Sequence, residues 1–329
     1  MAGIPSAMPR LALIATGGTI AGTGAQSHYT AATLPVDALL DAVPDLRSLA
    51  QWHTEQPFAL DSRDMHPTHW LQLAERIQTL IDTPDIDGIV ITHGTDTLEE
   101  TAFALHLLLP TGKPVVITAA MRPADSLSAD GPLNLLQAAR VALAPHSYGR
   151  GVLVVVNDHI LPARHVVKTH THAPDALSAG AAGEEGIVFD QAVRYHRPAP
   201  IPRPAILTLK PTTNLPRVDI LMAYAGLSAD HFHALQNLGC RGIVLALAGH
   251  GSIPEALRPA ISEAIAQGIV IVRASRIGAS VLPNHNEDDS SLGTLAAEQL
   301  SPLQARIALM VGLAAGVAPS GLQAWLASV

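Results

Sequence analysis

Two short stretches combine residue types that could carry nucleophilic chemistry. Ala15-Thr16-Gly17-Gly18-Thr19-Ile20 sets a threonine directly behind two glycines, and Thr92-His93-Gly94-Thr95-Asp96-Thr97 sets a threonine and an aspartate behind one. Glycine lets the backbone turn sharply and come close to a bound molecule, so each hydroxyl would be presented by its own tight turn. A threonine hydroxyl is a poor nucleophile near neutral pH and needs a base beside it. A lysine held uncharged for part of a cycle, by burial or by its neighbours, can supply one. Lys168, in Arg164-His165-Val166-Val167-Lys168-Thr169-His170, is available for that role, although a lysine in such a stretch is usually just solvated.

Both stretches follow apolar runs that read as buried strands. Such runs fall at residues 11–15, 88–92, 114–118 and 152–156, with helical patterns at 36–42, 67–80, 98–109 and 133–143 between them. That alternation predicts parallel strands with crossover helices, whose carboxyl-terminal loops are the usual ligand sites. Thr97 followed by Glu100 has the pattern of a capping box and predicts a helix start there. Thr95 and Asp96 would then lie just outside a helix amino terminus, where free N–H groups favour negative charge. Asp64, in Asp61-Ser62-Arg63-Asp64-Met65, is a candidate cap for the helix beginning near Pro67.

From Gln191 the texture changes, with prolines at Pro198, Pro200, Pro202, Pro204, Pro211 and Pro216 that suit an extended connector. A second alternation follows: strands at 218–223, 243–247 and 269–273, helices at 229–238, 254–266 and 302–313. The expectation is an α/β protein. It would have a larger, mainly parallel α/β domain over residues 1–195, a connector over 196–216 and a smaller C-terminal α/β domain over 217–329.

Composition narrows the class. The 329 residues are 48% hydrophobic and 15% charged, ample for a large core, and the net charge of −8 gives no footprint for nucleic acid or an anionic membrane. A single cysteine, Cys240, excludes an intrachain disulfide and a thiolate metal cage. The amino terminus lacks the charged start and apolar core of a signal peptide, and no apolar run reaches the ~18 residues of a membrane span. A cytoplasmic protein is expected. There is no G-x-G-x-x-G, no phosphate loop, no H-E-x-x-H and no G-x-S-x-G, and the sixteen histidines read mostly as surface residues.

The stretches Ala15 to Gly22 and Ile91 to Glu100 closely resemble the two signatures of the bacterial-type L-asparaginases, a family that includes asparaginase-glutaminases. Ala120-Met121-Arg122-Pro123, Ser128 to Asn134 and Arg150 to Asp158 extend the likeness over nearly the whole chain. The resemblance implies two α/β domains, a homotetramer built of dimers, and hydrolysis of L-asparagine to L-aspartate and ammonia through an acyl-threonine. It implies neither cofactor nor metal. Thr19 matches the nucleophile and Tyr29 its hydroxyl partner, while Thr95, Asp96 and Lys168 match a second triad. Ser62 and its neighbour Arg63, Thr95, Asp96 and Ala120 match positions against the substrate, Ser62 at its α-carboxylate and Ala120 through its backbone. Glu287 matches an acid supplied by a neighbouring subunit.

Three positions depart from the family pattern. Arg63 stands where Gln is common, His250 where secreted members often carry Asn, and the loop between Thr19 and Tyr29 is short. Arg63 is expected to turn to the substrate carboxylate or to pair with an acid such as Asp64, and to favour asparagine over the longer glutamine. Preferential glutamine hydrolysis is the rival of the same fold. A non-catalytic amino-acid-binding protein is the rival of another class, set back by the presence of every catalytic position.

Overall fold

The computed structural model describes residues 8–24 and 30–329, and Tyr29 lies outside the described residues. The chain divides into two compact units between Pro211 and Thr212.

The first unit is built on a sheet of eight strands among the described residues. Its parallel part comprises β1 (Arg10–Ala15), β2 (Gln51–Glu55), β3 (Gly88–Thr92), β4 (Val115–Thr118) and β5 (Val152–Val156). These strands lie in the order β5-β4-β3-β1-β2. Every residue of β3, β4 and β5 is buried, which is why each reads as an unbroken apolar run: a parallel sheet is covered on both faces. Three antiparallel strands extend it beyond β5, namely β6 (His159–Pro162), β9 (Gly186–Phe189) and β10 (Ala192–Tyr195). Between β6 and β9 lies a separate two-stranded ribbon, β7 (Val167–Lys168) with β8 (Leu177–Ser178).

The helices of this unit are α1 (Val36–Asp41), α2 (Pro44–Leu49), α3 (Pro67–Asp82), α4 (Leu98–Leu108) and α5 (Gly131–Leu143). Leu135, Ala138, Ala139 and Ala142 of α5 share a core with Leu11, Leu13, Val90, Val116 and Leu153 of the sheet. Two local expectations are corrected. Asp64 does not cap α3: His66 does, accepting from the Thr68 N–H, while the His69 ring accepts from the His66 N–H in return. At α4 the helix does start after Thr97, but the Thr97 hydroxyl makes no cap hydrogen bond. It donates instead to the Ser62 carbonyl at 2.7 Å, so a tertiary tie has displaced the local one. The described histidines are at least partly exposed apart from His93, which is fully buried.

The second unit has a four-stranded parallel sheet, β11 (Val218–Met222), β12 (Gly242–Leu247), β13 (Val270–Ser275) and β14 (Leu295–Ala296), in that order. It is accompanied by α6 (Asp230–Asn237), α7 (Arg258–Ala266), α8 (Asp289–Leu292), α9 (Pro302–Ala314) and α10 (Leu322–Ser328). Phe232, Ile243, Leu245, Ile261 and Ile271 meet in its core. Both units are therefore α/β, the larger carrying the mainly parallel sheet. Among the described residues no helix is long and apolar enough to cross a membrane.

Candidate active site

β1 and β3 are neighbours in parallel register, with Ala15 opposite Thr92, so the two signature loops leave the sheet side by side. Their contact is backbone on backbone. Gly18 has φ +82°, and a Cβ there would lie 2.4 Å from both the N and Cα of Gly94. A Cβ on Gly94 would in turn meet the Ser62 hydroxyl at 2.5 Å. Any side chain at either glycine would force the loops apart, and this is the physical reason for glycine at both places. Thr19 follows as the first residue of a 3-10 turn (Thr19–Ala21) and is 6% exposed, and Thr95 is equally buried at 6%.

Ser62 joins these loops from a third direction. Its hydroxyl accepts from the Asp96 N–H at 3.2 Å and its side chain is buried. Ala120, at the end of β4, is also buried, and its loop is held by Asp130, whose carboxylate accepts from the N–H groups of Met121 and Arg122 at 2.9 Å each. A Cβ on Gly131 would touch both Ile20 and Ala120, so the segments after Thr19 and at Ala120 share a neighbour. Lys168 completes the group: its amine donates to Thr95 Oγ1 at 2.9 Å and to Asp96 Oδ1 at 2.5 Å. Thr19, Ser62, Thr95, Asp96, Ala120 and Lys168 thus gather around the carboxyl ends of β1, β3 and β4.

Arg63 and Glu287 lie elsewhere in their contacts. Arg63 pairs with Asp61 at 2.5 Å rather than with Asp64, and its side chain is 73% exposed. Glu287 is 8% exposed and turned into its own unit, where its two carboxylate oxygens accept from the Ile253 N–H at 2.7 Å and the Arg258 guanidinium at 2.8 Å. It is neither a solvated loop acid nor presented outward.

Sequence reasoning passed over two side chains behind the site. His93 donates through Nδ1 to the Gly94 carbonyl at 2.7 Å, while Nε2 accepts from the Thr101 hydroxyl at 3.0 Å. Burial pushes its pKa down to about 4 against the pull of that carbonyl, so the ring is neutral and the tautomer is set by its two partners. Glu99, in the first turn of α4, accepts the Lys168 N–H at 2.8 Å. Burial raises its carboxyl above the ordinary range. Only their place within the second signature, Ile91 to Glu100, could have drawn notice to His93 and Glu99. Among the described residues no three His, Cys, Asp or Glu side chains gather so as to hold a metal ion.

Chemically, this arrangement offers hydroxyls on tight turns, an amine bonded to one of them, and glycine-flanked N–H groups that could face a developing oxyanion. Comparison with known proteins agrees with a hydrolytic family. Residues 10–201 match the N-terminal asparaginase family model, and residues 217–326 match the glutaminase/asparaginase C-terminal domain. The chain is 38% identical to L-asparaginase 2 of Escherichia coli, over 98% of this chain and 93% of that one. It is also 38% identical to the glutaminase-asparaginase of Pseudomonas aeruginosa, over 93% of this chain and 86% of that one. Among solved structures, the probable cytoplasmic L-asparaginase from Campylobacter jejuni superposes with a TM-score of 0.92 at 38% identity, covering 98% of this chain and all of that one. On these grounds the chain belongs to the asparaginase family.

Proposed function

We propose that this protein is an L-asparaginase that hydrolyses L-asparagine to L-aspartate and ammonia, with Thr19 as nucleophile. The observation that carries the reading is the backbone contact between Gly18 and Gly94, by which the turn leading into Thr19 meets the turn leading into Thr95, the threonine bonded to the Lys168 amine. The Thr19 oxygen attacks the side-chain amide carbon, and its proton passes by way of the neighbouring hydroxyl and amine groups to the departing nitrogen. The C–N bond breaks, ammonia leaves, and the acyl group rests on Thr19. Water then adds to the ester carbon, returning the proton to the threonine oxygen and releasing aspartate. Amide N–H groups of the two glycine turns stabilise the oxyanion in both steps. Ser62 and Asp96 receive the α-carboxylate and α-ammonium of the substrate, with the Ala120 backbone against its amide and Tyr29 as partner of Thr19. The enzyme works as a cytoplasmic homotetramer without a cofactor.

The test is Thr19→Ala. Removing a nucleophile of this kind lowers kcat by roughly 10³-fold or more, because the group acts with its partners as a unit. Turnover of asparagine near the wild-type rate in the purified, folded variant would sink the assignment.

A further inference from the structure

Lys168 is carried by the short β7–β8 ribbon, which is not part of the main sheet. An isolated two-stranded ribbon is marginally stable and does not by itself fix a side chain. Yet the lysine amine is held at two points, Thr95 and Asp96, both just ahead of α4. Its backbone N–H is held at a third point, the Glu99 carboxylate in the first turn of that helix. These contacts close a ring: helix start, Thr95 and Asp96, lysine amine, lysine backbone, Glu99, and the helix again.

An acid in the first turn of a helix commonly does no more than complement the helix dipole. Glu100, beside Glu99, is also an acid of that first turn. Glu99 differs because its carboxylate reaches a residue 69 positions away in sequence, and that residue is the lysine. Its carboxyl also lies close enough to the lysine to feel its charge. The charged groups facing the pair are Asp96 and Glu100, from α4 and the loop before it, whereas β8 opposes Lys168 with the apolar Leu177.

From this geometry we propose that Glu99 is a positioning residue for Lys168, fixing the reach of the amine toward Thr95. The inference rests on Lys168 belonging to the catalytic machinery. Burial raises the Glu99 carboxyl, and the Lys168 N–H opposes that rise by bonding its charged form.

The experiment compares Glu99→Ala, Glu99→Gln and Lys168→Met in the full chain, with asparagine as substrate. Misplacing a catalytic group by about 1 Å costs on the order of 100-fold, so Glu99→Ala should lower kcat by roughly 10–100-fold with little change in KM. Glu99→Gln keeps an oxygen to accept the lysine N–H and should recover most of kcat. Wild-type kcat in Glu99→Ala, or a loss in Glu99→Gln as deep as in Glu99→Ala, overturns the proposal. Should Glu99→Ala fail to fold, Glu99→Met, which keeps the bulk but offers no acceptor, takes its place, and wild-type kcat there overturns the proposal. Full turnover in Lys168→Met would instead remove the lysine from the machinery and take the proposal with it, whereas loss there with Glu99→Ala unaffected overturns Glu99 alone.

Discussion

Each unit contains a basic side chain paired with an aspartate, and the two pairs are built to opposite ends. In the second unit Arg273 is completely buried and binds Asp289, itself 6% exposed, through Nε at 2.6 Å and Nη2 at 2.5 Å. Its Nη1 donates to the Gly251 carbonyl at 2.9 Å, and Asp289 further accepts from Thr294 and the Asn284 N–H. A planar fork bonded on every side has nothing left for a ligand. In the first unit the Lys168 side chain is 19% exposed and Asp96 56% exposed, and the amine binds a hydroxyl as well as a carboxylate. The contrast separates scaffold from site. A satisfied, buried pair ties strand β13 to helix α8, whereas an accessible pair that includes a hydroxyl on a glycine turn is open to a ligand.

The largest effects follow from exchanging the damage. Lys168→Met should reduce kcat/KM for asparagine by roughly 10³-fold, as loss of one member of a catalytic unit does, while the thermal midpoint shifts little. Asp289→Ala should do the reverse. Leaving one partner of a buried pair uncompensated costs about 3–5 kcal/mol, to be read from the urea midpoint, while folded molecules keep most of their turnover. If Lys168→Met destabilised the fold as much as Asp289→Ala, the distinction between scaffold and site would be broken.

Acid should separate the units next. His93 in the first unit has its pKa lowered by burial to about 4, below the value near 6.5 of an unfolded histidine. Between those values only the unfolded chain takes up the proton, so stability is full above pH 6.5 and falls as pH drops toward 4. At about 1.4 kcal/mol per pH unit, His93 alone removes roughly 3 kcal/mol over that window. Asp289 in the second unit behaves differently. Burial raises its carboxyl, but the hydrogen bonds from Arg273, Thr294 and Asn284 outweigh that and lower it below 3.8. Its contribution is intact above pH 3.8 and is lost only as pH falls through its depressed folded value. Hydrogen exchange followed by unit should show protection of the first unit declining from pH 6.5 downward while the second holds. Earlier loss in the second unit, or an unchanged slope in a folded His93→Gln variant, would reverse the comparison.

The sheet's parallel core was legible because its strands are buried on both faces: β3 and β5 have the bounds that the apolar runs gave them. Strands with an exposed face escaped notice. No residue of β2 or β10 is fully buried; β2, Gln51-Trp52-His53-Thr54-Glu55, carries one apolar residue among polar ones, and a run that short is weak against background. At the site, the motifs named the residues but not their partners. Nothing local in the sequence tells that Thr97 prefers the Ser62 carbonyl to its own helix, because that choice depends on how the 61–64 turn meets α4, and Arg63 has two acids in sequence reach, Asp61 and Asp64, between which spacing does not choose. The burial of Glu287 within its own unit was likewise not legible in the sequence. Its partners Ile253 and Arg258 lie about thirty residues upstream and become neighbours only through the fold.

The smallest expected effect falls at Arg63, and the structure sets its scale. The guanidinium is bonded to Asp61 but remains 73% exposed, and an exposed pair is worth about 0–1 kcal/mol. Its backbone N–H also donates to Asp61 at 3.2 Å, so the turn is held even without the guanidinium. Arg63→Gln should therefore leave stability and asparagine turnover nearly unchanged. What remains is room and charge beside Ser62. The Arg63–Asp61 pair holds a bulky group next to the buried Ser62 hydroxyl, and glutamine needs space for one more methylene, a difference worth ~1–3 kcal/mol in a tight pocket and less where the wall is exposed. The ratio of kcat/KM for asparagine over glutamine should thus fall in Arg63→Gln by only about 2–5-fold, the equivalent of ~0.4–1 kcal/mol. A ratio that holds or rises would clear Arg63 of any part in selectivity. A fall of 100-fold would mean that the guanidinium reaches the substrate directly, and would move Arg63 from the exposed rim of the first unit into the same class as Lys168.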